Sequence, residues 1–210
     1  MRTDELIAVL AAEPAPRAWP RHHLAAGAAM GLTGAALVWL AAYGPRTDLA
    51  LAAATSSFWV KLLYALASMA TAAWLVFRAG RPGKAMATPA LLMLAPLALL
   101  APAAGLTLSD PEADMAGLIL GHSAASCSIA ILFIALPALA SAFWTLRQLA
   151  PTRLTEAGAS AGLFAGSEGA FVYAFSCTED AIPFVALWYT LGILLTATLG
   201  AFLGRSLLRW

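Results

Sequence analysis

Residues 118–146 read LILGHSAASCSIAILFIALPALASAFWTL, a run without a single Asp, Glu, Lys or Arg. A helix rises about 1.5 Å per residue and a bilayer core is about 30 Å thick, so roughly 20 apolar residues suffice to cross it. This run is long enough to do so and too apolar to be left in water. Working outward, residues 24–43, 57–77, 88–106, 157–176 and 183–204 meet or approach the same length and apolarity. The sequence therefore predicts an all-α integral membrane bundle of six transmembrane helices over residues 23–210, preceded by a tail of residues 1–22. The chain is 61% hydrophobic and 11% charged, with a mean hydropathy of +0.81, which excludes a water-soluble globular domain. Residues 24–43 start late and run longer than the apolar part of a signal peptide, so they read as a retained first helix.

Six crossings put both termini on one side, and charge placement says which. Lys and Arg near span ends stay on the cytoplasmic side. Arg2, Arg17 and Arg21 in the tail, Arg78, Arg81 and Lys84 in the second loop, Arg147 and Arg153 in the fourth, and Arg205 and Arg209 at the end make ten of the twelve cations. Both termini are thus predicted to be cytoplasmic, with only Arg46 and Lys61 outside the pattern. The opposite face carries Asp48, then Asp110, Glu112 and Asp114, then Glu179 and Asp180. With a net charge of +1 the chain offers no basic patch for direct nucleic-acid binding, and its short loops leave no room for a separate catalytic domain.

The two cysteines, Cys127 and Cys177, lie fifty positions apart, yet this topology brings both to the acidic, non-cytoplasmic face, where thiols can oxidise. Each is alternatively a small buried apolar residue. A disulfide requires Cα atoms within about 7 Å. A soft-metal site for zinc, copper(I) or cadmium could add His122, Glu179 and Asp180, which are near in sequence, although no spacing here is diagnostic and His122 reads first as a solvated histidine. Glu168, the ionisable side chain deep in a span, reads first as a protonated carboxyl bonded to a neighbouring Ser or carbonyl and second as part of a proton path.

Glycines spaced by four, Gly27 and Gly31, Gly158, Gly162 and Gly166, and Gly200 and Gly204, predict close helix packing with the fifth span central. Pro96, Pro102 and Pro137 predict kinks, whereas Pro183 sits where a first-turn proline is harmless. Aromatic residues near span ends, Trp39 and Phe58 among them, read as interfacial anchors, while Trp188-Tyr189 could pack over the thiols. In the tail, Thr3 or Asp4 can cap a helix carrying Leu6, Ile7 and Leu10 at helical spacing, stopped by Pro14 and Pro16. About ten residues make a marginal helix in water, so it would order on a partner or on the lipid bilayer.

Three functions fit these features. A small transporter would use Glu168 and the kinked spans. A membrane thiol oxidoreductase would use the cysteines, but such enzymes need a Cys-x-x-Cys pair and a second dithiol. A regulator would act through the tail and cytoplasmic loops.

The opening Arg2–Ala11, six spans in 210 residues, Cys127 ahead of Ala135-Leu136-Pro137, and the run Cys177-Thr178-Glu179-Asp180 followed by Phe184 and Trp188-Tyr189 together resemble the NrsF-type membrane anti-sigma factors. The resemblance covers nearly the whole chain, and the Cys-x-Glu-Asp to Trp-Tyr run is its most specific part. It implies a non-enzymatic protein of the bacterial inner membrane, with no obligatory cofactor. Such a protein holds an extracytoplasmic-function (ECF) sigma factor inactive and releases it when metal or oxidative stress reaches paired cysteines. Carried onto this chain, the sensors are Cys127 and Cys177. The tail helix and cytoplasmic loops would face the sigma factor.

Overall fold

The computed structural model describes residues 2–12, 21–81, 91–109, 114–149 and 151–209. All regular structure among them is helical: α1 Thr3–Ala12, α2 Arg21–Ala42, the short α3 Leu49–Ala52, α4 Ser56–Ala79, α5 Ala95–Leu108, α6 Met115–Leu120, α7 Ala124–Arg147, α8 Leu154–Tyr173 and α9 Ile182–Leu207. Four stretches, His23–Ala42, Ser56–Ala79, Ser126–Arg147 and Ile182–Leu207, are long and apolar enough to cross a membrane. They correspond to the first, second, fourth and sixth expected spans. The third, 88–106, is represented by the 14-residue α5, and residues 88–90 lie outside the described residues. Lys84, Asp110, Glu112, Arg17, Pro14 and Pro16 lie outside them too.

The opening run 118–146 is not one helix. α6 ends at Leu120, Gly121 takes φ +50°, and α7 starts at Ala124. A positive φ is nearly free for glycine and strained for other residues. A Cβ at Gly121 would also lie 2.7 Å from a Glu179 carboxylate oxygen. The break is therefore set by Gly121, at the Gly121-His122-Ser123 step that interrupts the apolar run.

The expected fifth span is α8, and it is the element that the others enclose. It packs chiefly against α9, α7 and α4. Its buried face is built of small residues, Ala157, Gly158, Ala161, Gly162, Ala165, Gly166 and Gly169, so neighbouring backbones come close. Gly158 faces the backbone of Gly200, and a Cβ at Gly162 would fall 2.6 Å from the Ala197 Cα. In a bilayer such close approach is itself a driving force, because lipid tails are as apolar as the side chains. α2 docks on α7 in the same way, Gly31 against Ala138 and Gly34 against Pro137.

Pro102 and Pro137 lie inside α5 and α7, whereas Pro183 sits in the first turn of α9. Pro96 is not a mid-helix kink: it occupies the first turn of α5, where its missing N–H costs nothing. The bundle has two unlike ends. Arg78, Arg147, Arg153 and Arg205 gather at one, and both cysteines, Arg46, Lys61, Glu179 and Asp180 gather at the other.

Candidate functional site

At the thiol end, α8 stops at Tyr173 and the chain turns back on itself: the N–H groups of Ser176 and Cys177 both donate to the Tyr173 carbonyl, at 2.9 and 3.0 Å. That turn places Cys177 inward, only 3% exposed. Cys127, in the first turns of α7, is fully enclosed. Both are free thiols of one buried cluster, and each acts on the other's ionisation. The structure thus brings together the two sensor candidates that are fifty positions apart.

Above them, α9 opens with a π-helical segment, Val185–Tyr189, whose extra residue per turn shifts the side chains that follow. The Tyr189 hydroxyl is buried without a hydrogen-bonding oxygen or nitrogen partner and within electrostatic reach of both sulfurs. Trp188 braces the site from behind: its indole N–H donates to the Ile119 carbonyl at 2.7 Å, and its carbonyl accepts from the Ser128 hydroxyl at 2.8 Å.

The loop of residues 174–181 is held by two cations. The Lys61 ammonium, wholly buried, donates to the Cys177 carbonyl at 2.9 Å, to the Glu179 carbonyl at 3.0 Å and to Asp180 Oδ1 at 2.6 Å. Its three donors are all used. Arg46 donates to the same Cys177 carbonyl and to Asp180 Oδ2, both at 3.0 Å, and forks onto Asp48 at 2.7 and 2.8 Å. These are the two cations that depart from the charge pattern of the rest of the chain. Their displacement is explained by the loop they hold. Trp39 and Phe58 also differ from lipid-facing anchors: the Trp39 indole N–H donates to the Ser176 hydroxyl, which in turn donates to the Gly44 carbonyl, and Phe58 is buried.

The electrostatics follow from this packing. The neighbouring Cys127 thiol, and after it the Lys61 charge, outweigh burial and lower the pKa of the Cys177 thiol. The Asp48 carboxyl is held below its usual range by its hydrogen bond from Arg46. The Arg46 guanidinium is raised in return.

His122 and Glu179 lie differently from the thiols. The His122 N–H donates to Glu179 Oε1 at 2.7 Å, and the imidazole, fully exposed, approaches that carboxylate at 3.5 Å. Among the described residues no group of three His, Cys, Asp or Glu is placed to hold a metal ion. A closed four-ligand zinc site is therefore not assembled here. Two facing sulfurs suit a single disulfide or a soft ion of low coordination number.

Glu168 is elsewhere, in α8 and 1% exposed, with Oε2 lacking any partner. It borders a cavity of about 260 Å³ between α2, α4 and α8, lined by Ala28, Leu32, Met69, Ala73 and Phe164. Neither expected bond, to a neighbouring Ser or to a carbonyl, is made at that oxygen, and the Ser167 hydroxyl donates to the Leu163 carbonyl. In α1, Thr3, Asp4 and Ile7 are exposed, and the Arg2 N–H donates to Glu5 at 3.0 Å, satisfying one end of the helix. Leu6 and Leu10 belong to α1, and their side chains lie outside the description.

Fold and site define a class: a protein whose described regular structure is helical, with membrane-length helices and a buried pair of thiols. The chain belongs to the NrsF family, whose model, described as negative regulator of sigma F, matches residues 9–210. It is 39% identical to the probable anti-sigma-F factor NrsF of Azospira oryzae and 40% identical to the anti-sigma-F factor NrsF of Caulobacter vibrioides, with 100% of each chain covered in both cases. The family is regulatory and not enzymatic. No solved structure matches the chain.

Proposed function

We propose that the protein is an anti-sigma factor of the bacterial inner membrane that holds an ECF sigma factor inactive and frees it when an oxidant or soft metal ion reaches Cys127 and Cys177. The full-length similarity to anti-sigma-F factors supports the anti-sigma part. The observation that carries the sensing part is the convergence of two free, buried thiols from α7 and from the loop after α8. On this reading the arginine-rich end and both termini are cytoplasmic, six spans cross the membrane, and α1 with the loops at that end faces the sigma factor. The exposed Thr3, Asp4 and Ile7, with Leu6 and Leu10 on the same helix, are the tail's candidate contacts. Regulatory relatives over the whole chain weigh against a transporter built on Glu168 and against a thiol oxidoreductase.

Oxidation removes two electrons and two protons from the pair and joins the sulfurs; a soft ion displaces the protons and bridges them. Either event ties α7 to the α8–α9 loop. For that to release a partner, the bundle must have two packings of different sigma affinity. Shifting the population from 99:1 to 1:99 takes about 5.5 kcal/mol of differential stabilisation, within the range of a thiolate–metal site. The test is to replace Cys127, Cys177 or both by Ser and follow the sigma factor under cadmium or diamide. The variants are expected to retain it, and release at the parent's dose contradicts the sensing role.

A further inference from the structure

The loop that carries Cys177 meets every long element at the thiol end. Arg46 and Trp39 reach it from α2 and the turn after it, Lys61 from α4, Cys127 and His122 from α7 and the turn before it. Among these contacts Lys61 stands apart. It is a fully buried cation on a helix long and apolar enough to cross a membrane, five residues after the helix begins at Ser56. Such a charge is expensive to bury, and a well-packed apolar residue often serves stability equally well. Its three hydrogen bonds do not scatter over the structure: all go to Cys177, Glu179 and Asp180. One of them is to the backbone of the sensor cysteine itself. At its other end, α4 reaches Arg78 in the arginine-rich end of the bundle.

We propose that Lys61 is a positioning residue that clamps the Cys177–Asp180 loop to α4, so that rearrangement of the thiol pair is carried along α4 to the opposite end. The proposal rests on the sensing function above and adds where the signal leaves the thiols. When the sulfurs join, the Cys177 main chain moves, and its carbonyl and Asp180 pull on the ammonium they share. Arg46 holds the same two groups from the α2 side, so Asp180 keeps a cationic partner if Lys61 alone is removed. That makes Lys61→Met a clean cut: Asp180 keeps Arg46 and no buried charge is orphaned.

The test uses the full-length chain in membranes with its sigma factor bound and diamide as the oxidant. Diamide takes two electrons and two protons from the thiols to give one disulfide and a hydrazine. Two quantities are read in each sample, the fraction of free thiol by maleimide labelling after denaturation and the fraction of sigma factor still bound. In Lys61→Met the thiols are expected to oxidise as in the parent while release needs at least tenfold more diamide, and Lys61→Arg restores most of the response. Parental release by Lys61→Met overturns the clamp. Should Lys61→Met fail to accumulate in the membrane, Asp180→Asn is measured on the same two readouts with the same criterion. The failure of the underlying function looks different: the double Cys→Ser variant would then release sigma factor like the parent.

Discussion

The Cys177 sulfur illustrates how a residue's chemistry is set by neighbours remote in sequence. The Cys127 thiol beside it and the Lys61 charge favour its thiolate, so Cys127→Ala is expected to move the onset of thiolate ultraviolet absorbance to higher pH. The sign is that of a depressed acid: the charged form persists as pH falls below the ordinary thiol range and is lost only at the folded pKa. An unchanged titration would contradict that influence of Cys127. Glu168 gives the complementary case, a buried carboxyl oxygen with no partner. Leaving such a group unsatisfied costs about 1–3 kcal/mol, so Glu168→Met is expected to raise the thermal midpoint in detergent, and a lower midpoint would show that the carboxyl is bonded in the native state. At this scale the cysteines and Glu168 were legible because rare polar chemistry in an apolar chain draws notice. Lys61 and Arg46 were visible only as departures from a charge rule, since their partners lie more than a hundred positions away.

Among elements, glycine spacing was the most informative signal. Four-residue repeats marked the close-packed faces of α2, α8 and α9 and the central place of α8, because helix periodicity puts such positions on one stripe, while the partners across each seam came from the fold. Gly162→Ala is expected to destabilise by about 1–3 kcal/mol, since its new methyl meets the backbone of Thr196 and Ala197. Gly105→Ala in α5, where nothing lies within 4 Å, is expected to be neutral or stabilising by up to about 1 kcal/mol. Equal effects of the two on the midpoint would refute the packing assignment. The sequence was less able to place breaks. Hydropathy is blind to the turn at Gly121, to the first-turn position of Pro96 and to the π-helical segment that aims Tyr189, because each depends on backbone geometry settled by tertiary contacts.

For the whole molecule, the division into an arginine-rich end and a thiol end is the organising fact. Composition established the helical class, and the charge pattern separated the two ends, because both follow from solvation that acts on every residue alike. Which loops cross which ends, and what joins them, follows from packing around α8. On the proposed function, one end holds a sigma factor and the other releases it. Its most direct measurement is recovery of the tagged protein from host membranes, before and after cadmium or diamide treatment, with mass spectrometry of what comes with it. A sigma factor is expected before treatment, absent after it, and retained after treatment by the double Cys127→Ser, Cys177→Ser variant. A sigma factor missing from both parental samples, or recovered equally from both, would contradict that function.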